Sequence, residues 1–230
     1  HLDGVIKLID YFELPDCFVL ILERMMTKGG NFKLASTKAM DLFDFISDKV
    51  FLEEDVACFI FKQLIKTIMD IHSAGVLHRD IKDENILIDS KTLEIKLIDF
   101  GCATKLHDGI YTELSGTKVY APPEWFTYGK YTAEGLTVWS LGVLLYDMIF
   151  GTIPFETSRQ IKRARIFFDP SFTVSQEAKD LIKLCLTKSP NDRINLEKIF
   201  DHPWFNTAEM KEEYVTETSQ ILDPLPTPHS

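Results

Sequence analysis

The chain has 230 residues, 45% of them hydrophobic and 26% charged, which is ordinary globular composition and enough for one large domain or two small ones. Thirty-five acids against 25 bases leave a formal net charge of -10. That excess argues against nucleic acid, which wants a basic face, and favours a basic peptide or protein as partner.

The runs VIKLIDYF (5–12) and CFVLILE (17–23) read as two buried strands joined at Pro15-Asp16. Periodicity is lost over 25–39, where Gly29-Gly30 and several lysines predict a flexible loop. DLFDFI (41–46) opens a short helix. The stretch 53–75 predicts a long one, with acids in its first turn, apolar residues at three and four, and Gly75 suited to its C-terminal end. ILI (86–88) and IKLIDF (95–100) read as short strands about a polar turn. TVWSLGVLLYDMIF (137–150) is apolar nearly all round and predicts a buried central helix. Two more helices fit near 175–187 and 195–200, and the polar end from 206, closing on PLPTP, reads as a flexible tail.

Cys17, Cys58, Cys102 and Cys185 are scattered and form no CxxC pair, which argues for a reducing compartment and against a disulfide framework or a zinc site. No signal peptide is visible and no apolar run approaches transmembrane length, so the expectation is a cytoplasmic or nuclear protein with no membrane partner. The first residue is His1 rather than Met, and the chain is expected to be a fragment.

The segment VLHRDIKDENILI (76–88) poses the functional question. Two apolar flanks enclose Arg79, Asp80, Lys82, Asp83 and Glu84, with no turn-forming Gly or Pro pair to explain them. Taken singly, Asp80 and Asn85 read as turn and cap residues and Asp99 as a strand-end acid. Together, HRDIKDEN (78–85), DFG (99–101) and APPE (121–124) stand in the order of the protein kinase signatures, and here the chain resembles that family.

The resemblance implies an α+β, protein-kinase-like fold and a chemistry that neutralises and positions charge. On it, Asp80 takes the proton of the acceptor hydroxyl and Lys82 sits beside the transferred phosphate. Asn85 and Asp99 are hard oxygen ligands for the Mg2+ that accompanies ATP. Lys82 and GTKVYAPPE (116–124) point to serine/threonine rather than tyrosine as acceptor. Glu124 and Arg193 resemble the family's buried, structural ion pair.

A closer likeness, over residues 2 to 205, is to the Pim kinases, carried by ELPDCFVLILER, DLFDFI, GVLHRDIKDENILID, KLIDFG, YAPPEW, VWSLGVLLYDMIFGTIPFE and DHPW. It implies ATP contacts at Leu22, Glu23, Asp41, Leu87 and Ile98, with Glu23 as hinge acid. It also implies protein substrates with basic residues before Ser or Thr, read by Asp41, Asp44 and Glu84. Thr117 is expected to contact Asp80 and Lys82. Asp44 reads equally well as a member of a solvated helix face. A monomer is expected. Residues 1–205 would form a truncated kinase domain, with 1–23 the small-lobe remnant and hinge, 24–205 the large lobe, and 206–230 a tail.

Several features depart from the pattern. No G-x-G and no V-A-I-K lysine occur in the chain; in a complete kinase they would lie upstream of His1. The hinge reads Glu23-Arg24-Met25 where Pim kinases carry proline third, and Thr137 replaces a bracing aspartate that Pim kinases also lack. Thr112, Ser115 and Thr117 are candidate phosphosites, and Glu113 is a candidate partner for Arg79 in place of a phosphate. Two functions follow: transfer of the γ-phosphate of ATP, slow in a chain without the roof of its site, or a kinase-like binding protein that transfers nothing.

Overall fold

A computed structural model describes residues 2–25 and 40–207. The expected loop beyond Met25 and the expected tail from residue 208 lie outside the described residues.

Strand β1 (Leu8–Leu14) pairs antiparallel with β2 (Cys17–Leu22), Tyr11 opposite Leu20 and Phe12 opposite Val19. The expectation of two buried strands is corrected: every residue of both is exposed, Ile9 at 61% and Phe18 at 64%. β-Branched and aromatic residues set the strand, but burial needs a second layer, and this two-stranded sheet has neither face covered among the described residues. The hairpin joins the rest of the molecule at its root, where Ile6 N donates to Leu97 O and Leu97 N to Gly4 O.

The remainder is mostly helical. β3 (Met40–Asp41) leads into α1 (Leu42–Lys49), whose N-cap is Asp41. Helix α2 (Glu54–Ser73) buries Ile60, Phe61, Leu64, Ile65 and Ile68, the apolar spacing seen in the sequence. It ends at Ala74, with Gly75 following at φ +76°. Then come β4 (Val76–Leu77), β5 (Ile86–Ile88), β6 (Ile95–Leu97), β7 (Thr104–Lys105) and β8 (Ile110–Tyr111). These are followed by α3 (Pro123–Tyr128), β9 (Tyr131–Thr132), α4 (Ala133–Phe150), α5 (Ser158–Arg163), α6 (Gln176–Cys185), α7 (Leu196–Phe200) and α8 (Trp204–Thr207). Helix α8 begins just before the expected domain boundary at 205 and runs through it to Thr207.

β5 lies between β3 and β6 in an antiparallel sheet, while β4 pairs with β7 and β8 with β9. Helix α4 is the axis of the core, with Val138, Trp139, Leu141, Leu144 and Met148 essentially inaccessible. It starts four residues earlier than the apolar run suggests, because Thr132 Oγ1 accepts from Gly135 N at 3.1 Å and caps it. At 18 residues it is long and apolar enough to cross a membrane, contrary to the expectation that no run is. Ninety-four per cent of that window is buried inside the protein, so its apolar surface is already used by the core.

Candidate active site

The charged segment between β4 and β5 is a loop folded back on buried partners. His78 is fully buried, its ring edge-on to Phe100 at 4.8 Å, with Nε2 3.0 Å from Ile98 O and Nδ1 3.3 Å from Asp80 N. Burial pushes its pKa down, against the pull of the Ile98 carbonyl and of Asp80 and Asp99. A neutral ring protonated on Nε2 satisfies both contacts, donating to Ile98 O and accepting from Asp80 N. Arg79 turns at φ +69°, and its Nε donates to Cys102 O at 2.5 Å.

Asp80 is nearly buried and its carboxylate is held at both oxygens. Oδ1 accepts from Thr117 N at 2.8 Å, and Oδ2 accepts from Asn85 Nδ2 at 3.1 Å. Asn85 Nδ2 also donates to the Asp80 carbonyl at 2.7 Å. Lys82 Nζ lies 3.9 Å from Asp80 Oδ2 and 2.6 Å from Glu84 Oε2. Partial burial works against the Lys82 ammonium, but the Glu84 hydrogen bond and the charges of Asp80, Glu84 and Asp83 prevail and raise its pKa.

Asp99 sits at φ 60°, ψ 76°, a left-handed conformation for a non-glycine residue, and its carboxylate accepts from Gly101 N at 3.0 Å. Ile98 N donates to Asn85 O at 2.9 Å, which sets the backbones carrying Asn85 and Asp99 side by side. With its Nδ2 committed to Asp80, the Asn85 amide keeps Oδ1 as a hard oxygen of the kind that ligates Mg2+. No cluster of three His, Cys, Asp or Glu side chains suited to a metal occurs among the described residues. Two hard oxygens are too few for a protein cage but fit Mg2+, which keeps phosphate oxygens and water for its other positions.

The family model for the protein kinase domain matches residues 1–205. The chain belongs to the protein kinase family. It is 43% identical over 221 residues to the serine/threonine-protein kinase pim-2 of Danio rerio, covering 95% of this chain and 66% of that protein. It is 43% identical over 206 residues to the serine/threonine-protein kinase prk-2 of Caenorhabditis elegans, covering 87% and 44%. A PAS domain-containing serine/threonine-protein kinase of Mus musculus is 40% identical over 222 residues, covering 94% and 15%. The chain thus spans less than two thirds of the length of each of these relatives. Its α+β architecture is that of the family.

The other sequence-derived site residues of this kinase domain are distributed as follows. Leu22 ends β2 and is exposed, whereas Leu87 on β5 and Ile98 just after β6 are half-buried. Glu23 Oε1 accepts from Lys7 N at 3.0 Å and lies 3.6 Å from Lys96 Nζ. Asp41 pairs with Leu87 across β3 and β5, and its Oδ1 accepts from Asp44 N at 2.7 Å, so this acid also caps α1. Asp44 is exposed in the first turn of α1. Glu84 is not a bare acid, since Lys82 holds its carboxylate. Thr117 meets Asp80 through its backbone N–H. Arg79 and Glu113 form no ion pair; Tyr131 OH instead donates to Glu113 O at 2.7 Å, with the Arg79 guanidinium beside the phenol. Glu124 and Arg193 are paired at both oxygens at 2.9 Å, deep in the core, and Arg193 also donates to the carbonyls of Gly135 and Thr187.

Sequence reasoning missed a second buried set beneath the loop. Tyr120 OH donates to Asp83 Oδ1 at 3.1 Å, and the Asp147 carboxyl lies beside that of Asp83. Burial first, then the charge of Asp83, raises Asp147 to about 7; burial also raises Asp83. The signal was present as a lone acid in the apolar run LLYDMIF, which needs a partner if buried.

Proposed function

We propose that this kinase domain is Pim-like and carries the large-lobe half of a site that moves the γ-phosphate of ATP to serine or threonine. The observation that supports this most is the Asp80 carboxylate, held from opposite sides by Asn85 Nδ2 and Thr117 N with Lys82 Nζ 3.9 Å away. In the step proposed, the acceptor hydroxyl oxygen bonds to the γ-phosphorus and the bond to the β–γ bridging oxygen breaks. The hydroxyl proton passes to Asp80, and ADP leaves. Lys82 stands against the charge of the moving phosphoryl group. Asp99 and Asn85 would hold the Mg2+ of the nucleotide, whose charge offsets that of the phosphate oxygens. Leu22, Glu23, Asp41, Leu87 and Ile98 would border the nucleotide.

The preferred substrate in this reading carries basic residues before the acceptor, met by Asp41, Asp44 and Glu84. Glu84 must then exchange Lys82 for a substrate arginine, or share itself between them. The test is competition between peptides with arginines three and five residues before serine and neutral peptides, in the parent chain and in Glu84→Lys. Preference for the basic peptides, weakened by salt and by the substitution, is the expected result. Preference for acidic flanks, or no change in Glu84→Lys, would remove the assignment.

A cytoplasmic or nuclear location and a monomeric state belong to the same proposal, and the four cysteines, all unbridged, accord with the former. The second reading is a kinase-like protein that holds partners through its large lobe and transfers nothing. Light scattering after gel filtration tests the monomer, and radiolabelled phosphate transfer separates the two readings.

A further inference from the structure

The Asp80 carboxylate is seated by a close approach that only one residue type permits. Arg79, at φ +69°, lies next to Gly116 of the segment between DFG and APPE. A Cβ added to Gly116 would fall 2.2 Å from the Arg79 carbonyl oxygen and 3.2 Å from Asp80 Oδ1. The first contact is with backbone, which cannot swing aside as the end of a long side chain can. Gly116 is not in the left-handed region, so space rather than backbone freedom is what the position demands. The very next N–H, that of Thr117, makes the 2.8 Å bond to Asp80 Oδ1. On the other side Arg79 is tied through Nε to Cys102 O, so its carbonyl is not free to retreat alone.

We propose that Gly116 is a positioning residue for phosphoryl transfer: its bare Cα lets the segment close onto the Arg79 carbonyl, and so delivers the Thr117 N–H that aims the Asp80 carboxylate. The role rests on the kinase reading above, and Gly116 itself touches neither nucleotide nor phosphate. A side chain there lifts the segment, removes one of the two donors that orient Asp80, and lets the carboxylate rotate about its last torsion. Displacements on the scale of 1 Å at a reacting group lower turnover by about 100-fold. Nucleotide binding, assigned to other residues, is left alone.

The experiment compares the full 230-residue chain with Gly116→Ala, Thr117→Pro and Thr117→Ala. Thr117 has φ -71°, so proline fits its backbone and, beside alanine, isolates the loss of the N–H. The readouts are amide exchange at residue 117, the carboxyl carbon resonance of Asp80, nucleotide affinity, and kcat and KM for a basic serine peptide. The amide is expected to be protected in the parent and in Thr117→Ala, and to exchange at least about tenfold faster in Gly116→Ala. The Asp80 resonance is expected to move alike in Gly116→Ala and Thr117→Pro. In those two, kcat should fall by about tenfold or more against Thr117→Ala, with nucleotide Kd unchanged. Parent-like protection at Thr117 in Gly116→Ala overturns the proposal, as does a Thr117→Pro chain with the kcat of Thr117→Ala. Loss of cooperative melting in Gly116→Ala also overturns it, because the glycine would then serve the whole fold. If no chain transfers phosphate, the amide and carboxyl signals decide on their own whether Gly116 seats Asp80, apart from the kinase reading.

Discussion

Asn85 Nδ2 bridges the Asp80 carbonyl at 2.7 Å and its carboxylate at 3.1 Å. One amide thus fixes both the backbone and the side chain of the residue at the centre of the site. Because the pair is buried, loss of the donor leaves the Asp80 carbonyl without this partner and its Oδ2 with only Lys82 Nζ, 3.9 Å away. Asn85→Leu, close in shape but without a donor, should destabilise the protein by about 1–3 kcal/mol. Thermal melting of the two chains checks it; an unchanged midpoint would mean that the contact carries nothing.

Asp147 yields a prediction in pH. The folded state keeps its proton up to about 7, whereas a free aspartate ordinarily loses it near 3.8. Between those values the folded chain binds more protons than the unfolded one, so stability falls as pH rises through the window and levels off above it. The penalty at high pH is on the order of a few kcal/mol. Asp147→Asn supplies the neutral form at every pH. It should flatten the profile across this window and raise the melting midpoint at pH 8 by roughly 5 °C. Equal or lower midpoints at pH 8 would show that the Asp83–Asp147 contact does not store a proton.

The Glu124–Arg193 pair predicts an asymmetry. Arg193→Met leaves a buried carboxylate with no counter-charge and should lower stability by about 3–5 kcal/mol. Glu124→Gln leaves the guanidinium with the carbonyls of Gly135, Thr187 and Lys188 and with Trp139, whose ring it overlies at 5.0 Å. Its loss should be smaller. Urea denaturation of both variants gives the order, and equal losses would contradict the role assigned to the carbonyls.

Much of the architecture could be read from spacing. Helix α2 announced itself through its acids and apolar stripe, and α4 through an unbroken apolar run. Helices α3 and α5 went unseen because six residues are too few for periodicity, although Thr157 and Gln160 spell the capping box that starts α5. The strands β1 and β2 were legible as strands from residue type, which reports propensity, whereas burial depends on what stacks above. In the site, HRDIKDEN set Asp80, Lys82 and Asn85 on one loop. The contact of Thr117 with Asp80 was expected from the resemblance and is made by the backbone N–H, whereas two contacts across the fold were not legible: Lys82 taking Glu84, and Asp147 meeting Asp83. These depend on how α4 and the segment before APPE pack against the loop, which local pattern does not encode.

The claim that Asp80 is a working proton acceptor is tested most directly by transfer of radiolabelled γ-phosphate from Mg-ATP to a basic serine peptide, by the 230-residue chain and by Asp80→Asn. An asparagine keeps the shape of the side chain and an oxygen for Thr117 N, but takes no proton. The rate of the parent, however slow, should fall by about 100-fold or more in the variant, while the melting midpoint stays within about 2 °C, as one kcal/mol moves it by roughly that much. Equal transfer by the two chains would contradict the claim that Asp80 is the proton acceptor of a phosphoryl-transfer site.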